Sequence, residues 1–118
     1  MLQKNGQVLC EESGSGLTVH VRGEIDHHSA VSVRRVIDER ITLCRPKEVY
    51  LELSGVDFMD SSGLGLIMGR YALVKQSGGE LYVLDPSAAV VKMMKLAGME
   101  RMIRLLKHKE IFAKEGKR

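Results

Sequence analysis

The chain has 118 residues, enough for one domain that buries a core without disulfides or metals. With no Trp, two Phe and three Tyr, it lacks the aromatic platforms on which single-stranded nucleic acid stacks. The net charge of +3 is unevenly spread: residues 87 to 118 hold nine Lys/Arg and three Glu, and residues 1 to 86 hold nine Lys/Arg and twelve Asp/Glu.

A basic docking surface would explain that imbalance, but so would a solvated helix with a loose tail. Cys10 and Cys44 have neither metal nor redox spacing and read as ordinary reduced thiols. The opening Met1-Leu2-Gln3-Lys4-Asn5-Gly6 lacks the apolar core of a signal peptide. No apolar run approaches the roughly 20 residues that span a bilayer. The expectation is a cytoplasmic protein, one domain over residues 1–118, with loose termini at 1–6 and 115–118.

In chain order, Gln7 to Glu12 predicts a short strand, and Ser13-Gly14-Ser15-Gly16 a hairpin turn. Leu17 to Arg22 alternates apolar and polar residues, the pattern of a half-buried strand, which places His20 on the surface; Gly23 breaks the pattern. Asp26 or Ser29 can cap a first helix, with Ala30, Val33, Val36, Ile37 and Ile41 as its apolar stripe. Pro46 ends that helix, and a strand follows over Glu48 to Leu53.

A second helix is expected from about Ser62, with Leu64, Ile67, Met68, Tyr71 and Val74 toward the core. Gly65 and Gly69 lie on one of its faces, and each costs about 1 kcal/mol relative to Ala. That cost points to close approach of another backbone, the sheet beneath or a partner above. Ser77-Gly78-Gly79 ends the helix, and Glu80 to Leu84 is a fourth strand. Pro86 suits the first turn of a third helix capped by Asp85, with Val90, Met93, Met94 and Ala97 as its stripe and Gly98 as its stop. Met102 to Leu106 could form a fifth strand, and Lys109 to Lys114 a last helix. There are no repeats and no linker. Alternating strands and helices predict an α/β domain, a mixed sheet of about five strands with three to four helices.

The segment Phe58-Met59-Asp60-Ser61-Ser62-Gly63-Leu64-Gly65 stands where a strand feeds a helix. Free backbone N–H groups and the positive end of the helix dipole favour an anion there, or a serine that acquires a phosphate. Gly63, Gly65 and Gly69 give GxGxxxG, one residue off the dinucleotide fingerprint, and the chain is too short for the two halves of a dinucleotide crevice. No phosphate-loop motif and no GxSxG elbow is present. His27 and His28 are neighbours that point apart, so a loop contact fits them better than a shared metal. A serine at a helix start is ordinarily a cap. Two serines behind an acid and before glycines, in a chain with no catalytic set, suit recognition and modification.

That segment, continuing to Gly69-Arg70-Tyr71, closely resembles the phosphorylation segment of anti-sigma factor antagonists, the bacterial STAS domains. Gly23-Glu24-Ile25-Asp26-His27-His28 resembles the turn before that family's first helix, and Ser77-Gly78-Gly79-Glu80-Leu81 its entry to the next strand. The resemblance covers about Leu17 to Leu106, and the double histidine is closer to the sporulation branch, which opposes the anti-sigma-F factor, than to the general-stress branch.

The resemblance implies partner switching. The unphosphorylated antagonist binds an anti-sigma factor that is also a GHKL-type serine kinase, and the sigma factor goes free. The kinase then phosphorylates Ser61, which abolishes binding, and a PP2C-type phosphatase resets the protein. Asp26, His27, Asp60, Ser62, Gly63, Leu64, Gly65, Leu66 and Gly69 are the implied partner-binding residues. On this reading the protein has no catalytic residues, cofactor or metal. It contacts neither DNA nor membrane and is a monomer when free. The alternatives are a general-stress antagonist, a STAS scaffold or a nucleotide-binding module.

Overall fold

A computed structural model describes residues 7–108. Strand β1 (Gln7–Ser13) pairs antiparallel with β2 (Gly16–Ile25) through a two-residue turn, where Gly14 takes φ +58°. Helix α1 (His27–Cys44) then leads to β3 (Glu48–Met59), α2 (Ser61–Gln76) to β4 (Glu80–Leu84), and α3 (Ala88–Leu96) with a 3-10 turn (Met99–Arg101) to β5 (Leu105–Leu106).

The sheet order is β1-β2-β3-β4-β5, and β2 to β5 run parallel. Each parallel step moves one strand in the same direction, so right-handed crossovers put the helices on one face. Val19, Leu51 and Val83 of the strands accordingly share one buried cluster with Val33 and Ile37 of α1, Ile67 of α2, and Val90 and Met94 of α3. Alternate strand residues point to the opposite face, where Tyr50 and Tyr82 stack with ring centroids 5.4 Å apart. The expected mixed sheet is present, with three α-helices among the described residues. None of these helices is long and apolar enough to cross a membrane.

Several local expectations are corrected by tertiary pairing. Gly23 does not end β2. It takes φ +89° at a register shift, and the strand bends but continues to Ile25. β3 runs past Leu53 to Met59, because Gly55, Val56, Phe58 and Met59 find partners on that continued β2. β5 is only two residues, since only Leu105 and Leu106 meet β4. Val36 is exposed, and Ser29 joins Val33, Ile37 and Ile41 on the buried face of α1.

Ser87, not Asp85, caps α3, so Pro86 lies before the helix rather than in its first turn. Asp85 instead takes φ +48° and accepts a 2.8 Å hydrogen bond from the His108 backbone N–H. Ala97 is the exposed C-cap of α3, and Gly98 at φ +72° turns the chain away. The expected helix over Lys109 to Lys114 lies outside the described residues.

His20 is also not a free surface residue. It is half-buried, with Nδ1 2.7 Å from Glu52 and Nε2 2.7 Å from Glu11, so one ring ties together three adjacent strands. Burial works against its charge, but the hydrogen bonds its ring donates to the Glu52 and Glu11 carboxylates outweigh it and raise the imidazole pKa above its ordinary 6.5. Glu52 is buried, which raises its pKa, yet hydrogen bonds from Ser54 and His20 prevail and lower it.

Candidate functional site: paired helix starts and the groove behind them

The parallel register pairs Ile25 of β2 with Met59 of β3. Both strands therefore stop at the same level, and the residues that follow, Asp26 and Asp60, stand side by side. The Asp60 backbone N–H donates to the Ile25 carbonyl at 3.1 Å and stitches the two ends together. Each aspartate then caps a helix. Asp26 Oδ1 accepts from the backbone N–H groups of His28 (3.0 Å) and Ser29 (2.9 Å), and Ser29 Oγ accepts in return from the Asp26 N–H at 3.0 Å. Asp60 Oδ1 accepts from the Ser62 N–H at 2.8 Å.

Two helix N-termini thus open on one rim of the sheet, at the carboxyl ends of the inner strands β2 and β3, one behind Asp26-His27-His28 and one behind Asp60-Ser61-Ser62. The backbone hydrogen bond from Ser29 is the chief cause that holds the Asp26 carboxyl below its ordinary value. Partial desolvation opposes it, and the His28 N–H adds to it.

The cap of α2 is consequently the aspartate, not a serine. Ser61 and Ser62 are the first two helical residues. Ser61 is exposed, and its hydroxyl has no hydrogen-bond partner among the described residues. Ser62 is half-buried and its side chain faces the space between α1 and α2.

The three glycines of the segment separate sharply. Gly63 is buried, and a Cβ there would collide with Met59 Cγ and Sδ and press on Ile25 at 3.3 Å. It is a packing residue that lets α2 start close under the strand ends. Among the described residues, Gly65 and Gly69 have nothing within 4 Å of where a Cβ would stand. The sheet therefore does not require them, and the space above them is open.

The buried face of α2 is also rotated from the expected stripe. Leu66, Ile67, Arg70 and Val74 are buried, while Leu64, Met68 and Tyr71 are only partly so. Above Leu66 and Arg70 lies a groove of about 400 Å³, walled by His27, Ala30 and Arg34 of α1 and by Ser62, Gly65 and Gly69 of α2. Arg70 closes its floor. Its Nε lies 2.7 Å from Asp38 Oδ1 of α1, an ion pair bent away from hydrogen-bond geometry, and the pair ties the two helices together.

Of the expected partner-binding residues, the structure places Asp26, His27, Asp60, Ser62, Gly65, Leu66 and Gly69 around this rim and groove. Leu64 is half-buried against the core, and Gly63 lies beneath the surface. Arg34 and Arg70 were not anticipated. Arg70 had a readable signal, a cation recurring with Leu66, Ile67 and Val74 at helical spacing. Arg34 had none, because its neighbourhood is made by α2. Among the described residues no group of His, Cys, Asp and Glu could hold a metal ion.

The sequence matches the STAS domain family over residues 7–117. The anti-sigma F factor antagonist of Paenibacillus polymyxa is 38% identical over 99 residues, which are 84% of this chain and 85% of that one. The anti-sigma-B factor antagonist of Bacillus subtilis (strain 168) is 28% identical over 100 residues, 84% of this chain and 89% of that one. The solved structure of the anti-sigma factor antagonist SpoIIAA in its unphosphorylated form shares the fold. It superposes with a TM-score of 0.77 at 24% identity, covering 95% of this chain and 98% of that chain. The chain belongs to the STAS domain family and, within it, groups with the anti-sigma factor antagonists.

Proposed function

We propose that this chain binds an anti-sigma factor and so frees a sigma factor, and that a phosphate on Ser61 switches the binding off. The observation that carries the reading is the Ser61 hydroxyl itself. It is exposed, unpartnered among the described residues and first in a helix whose cap is supplied by another residue. A serine needed as the cap could not be modified without fraying the helix. Here Asp60 holds the helix start and leaves Ser61 free. A phosphate would add about −1.5 to −2 charges. It would fall beside the Asp60 and Asp26 carboxylates and turn this edge strongly anionic.

The partner in this proposal is a GHKL-type serine kinase that acts as the anti-sigma factor, and a PP2C-type phosphatase restores the serine. The histidines at His27 and His28 and the 38% identity to an anti-sigma F factor antagonist support sporulation control over general-stress control. The chain acts as substrate and binding module, as a cytoplasmic monomer, and has no enzymatic activity of its own.

The test is incubation with the anti-sigma kinase of the same organism and ATP, followed by mapping of the phosphosite by mass spectrometry. Phosphate on Ser61, and loss of the complex once it is there, is the expected outcome. Phosphate on Ser62 alone, or a complex indifferent to phosphorylation, would overturn the reading.

A further inference from the structure

The groove between α1 and α2 holds a positive charge that no ion pair among the described residues compensates. Arg34 is exposed and makes no ion pair among the described residues. Arg70 beneath it takes the Asp38 carboxylate at 2.7 Å. Burial depresses the Arg70 pKa and Asp38 opposes that, while Arg34 depresses it further, which places the two guanidiniums within electrostatic reach of each other. The one carboxylate at the groove's floor is thus engaged by Arg70, and among the described residues no acidic residue lines the groove.

The rest of the lining is apolar or small. Gly65, Gly69 and Ala30 form the walls, Leu66 the floor, and Val31 stands on the rim at 43% exposure. Gly65 and Gly69 are one helical turn apart, so the trough runs about 6 Å along α2. The two glycines cost α2 stability and return none to the described part of the chain, since a Cβ at either would touch none of its residues.

We propose that this groove receives a helical segment of the anti-sigma partner that sets small or apolar side chains against Gly65 and Gly69 and a carboxylate opposite Arg34. The inference rests on the anti-sigma reading above and adds the chemistry of the partner's contact. A helix fits because backbone-to-backbone approach over one turn is what two glycines four apart permit. A carboxylate fits because it supplies the missing counter-charge with the planar geometry a guanidinium recognises. Such a contact lies behind the phosphorylated edge, so it sets the orientation and choice of partner, whereas the charge on Ser61 decides whether docking occurs at all.

The experiment is titration calorimetry of the full chain against the anti-sigma factor of the same organism, at two salt concentrations. The variants are Arg34→Gln, Arg34→Glu and, on the exposed side of α3, Lys92→Glu as a control. Arg34→Glu should weaken binding on the order of tenfold, Arg34→Gln by a few-fold, and the deficit of each should shrink at high salt. Lys92→Glu should bind as wild type does. Arg34 makes no hydrogen bond or ion pair among the described residues, so both variants should fold, as checked by circular dichroism; if the Glu variant does not, the Gln variant decides.

Wild-type binding with Arg34→Gln and Arg34→Glu both within about twofold would overturn the acidic contact and leave the anti-sigma reading standing. A deficit that salt does not touch would also overturn it, since the loss would then be steric. Absence of wild-type binding would instead remove the anti-sigma reading, and this inference with it. Binding of inorganic phosphate to wild type but not to Arg34→Gln, with anti-sigma binding unchanged in the variant, would assign the groove to a free anion and overturn the helix as occupant.

Discussion

Ser61 and Ser62 differ in position by one residue and in environment by a helix face. Ser61 looks out from the rim of the sheet, and Ser62 looks into the groove. Ser61→Ala is expected to keep anti-sigma binding and to lose phosphate incorporation, read by radiolabelled ATP and a pull-down. Asp60→Ala should cost about 1 kcal/mol of stability through loss of the α2 cap, visible as a lowered denaturation midpoint. His20 gives a pH signature at this scale. Its folded pKa is raised, so its contribution is fully present below the unfolded value of 6.5 and is lost as pH rises through the folded value. Glu52 has a lowered folded pKa, so its contribution is present above the unfolded value of 4.5 and is lost as pH falls through the folded one. Stability should therefore peak in mildly acidic solution and decline as pH rises from about 6.5 through the raised imidazole pKa. Chemical denaturation of His20→Gln across pH should show that alkaline decline removed; an unchanged profile would mean that the Glu11-His20-Glu52 bridge is energetically silent.

Helix α2 combines two kinds of glycine, and substitution separates them. Gly63→Ala drives a Cβ into the Met59 side chain under the strand ends, and overpacking of this kind costs typically 1–3 kcal/mol. Gly65→Ala and Gly69→Ala meet nothing among the described residues and should stabilise the helix by up to about 1 kcal/mol each. A bulky residue at Gly65 should leave the fold intact and weaken anti-sigma binding by filling the groove. Thermal melts together with binding curves check both halves. A Gly65→Leu variant that is folded and binds normally would place the interface elsewhere. The glycine pattern was visible in the sequence. Which glycine served packing was not, because Gly63 is defined by how the Met59 side chain folds back over it and by Ile25, which reaches it only through the pairing of β2 with β3.

For the whole molecule, the switch should work without a change of shape. A phosphate at the first turn of α2 gains roughly 0.3–1 kcal/mol from the helix dipole, and solvent-screened repulsion from Asp60 offsets a similar amount. Within the free protein the two terms nearly cancel. In a complex the phosphate must be desolvated or face a surface fitted to a hydroxyl, which costs several times more. Amide chemical shifts of the free protein should therefore change on phosphorylation only around Ser61 and the neighbouring Asp26 turn. Shifts spread through the sheet and α3 would mean that the domain itself changes conformation.

The alternation of Leu17 to Arg22, the apolar run Glu48 to Leu53 and the helical spacing in α1 were enough to establish strands, helices and the α/β class, because periodicity follows from local geometry alone. The Asp-Ser-Ser-Gly segment was likewise legible as a strand-to-helix junction. What the chain could not show locally was decided by pairing and packing. β3 gained its last six residues because β2 bent at Gly23 and carried on beside it. Asp60 rather than a serine became the cap, because the register brought its backbone N–H to the Ile25 carbonyl and left its carboxylate over the Ser62 N–H. His20 was drawn between Glu11 and Glu52, which stand 9 and 32 residues away. The groove exists only where α1 lies against α2 across the Asp38–Arg70 ion pair. Each of these depends on residues distant in the chain, so only the folded arrangement of strands and helices could set it.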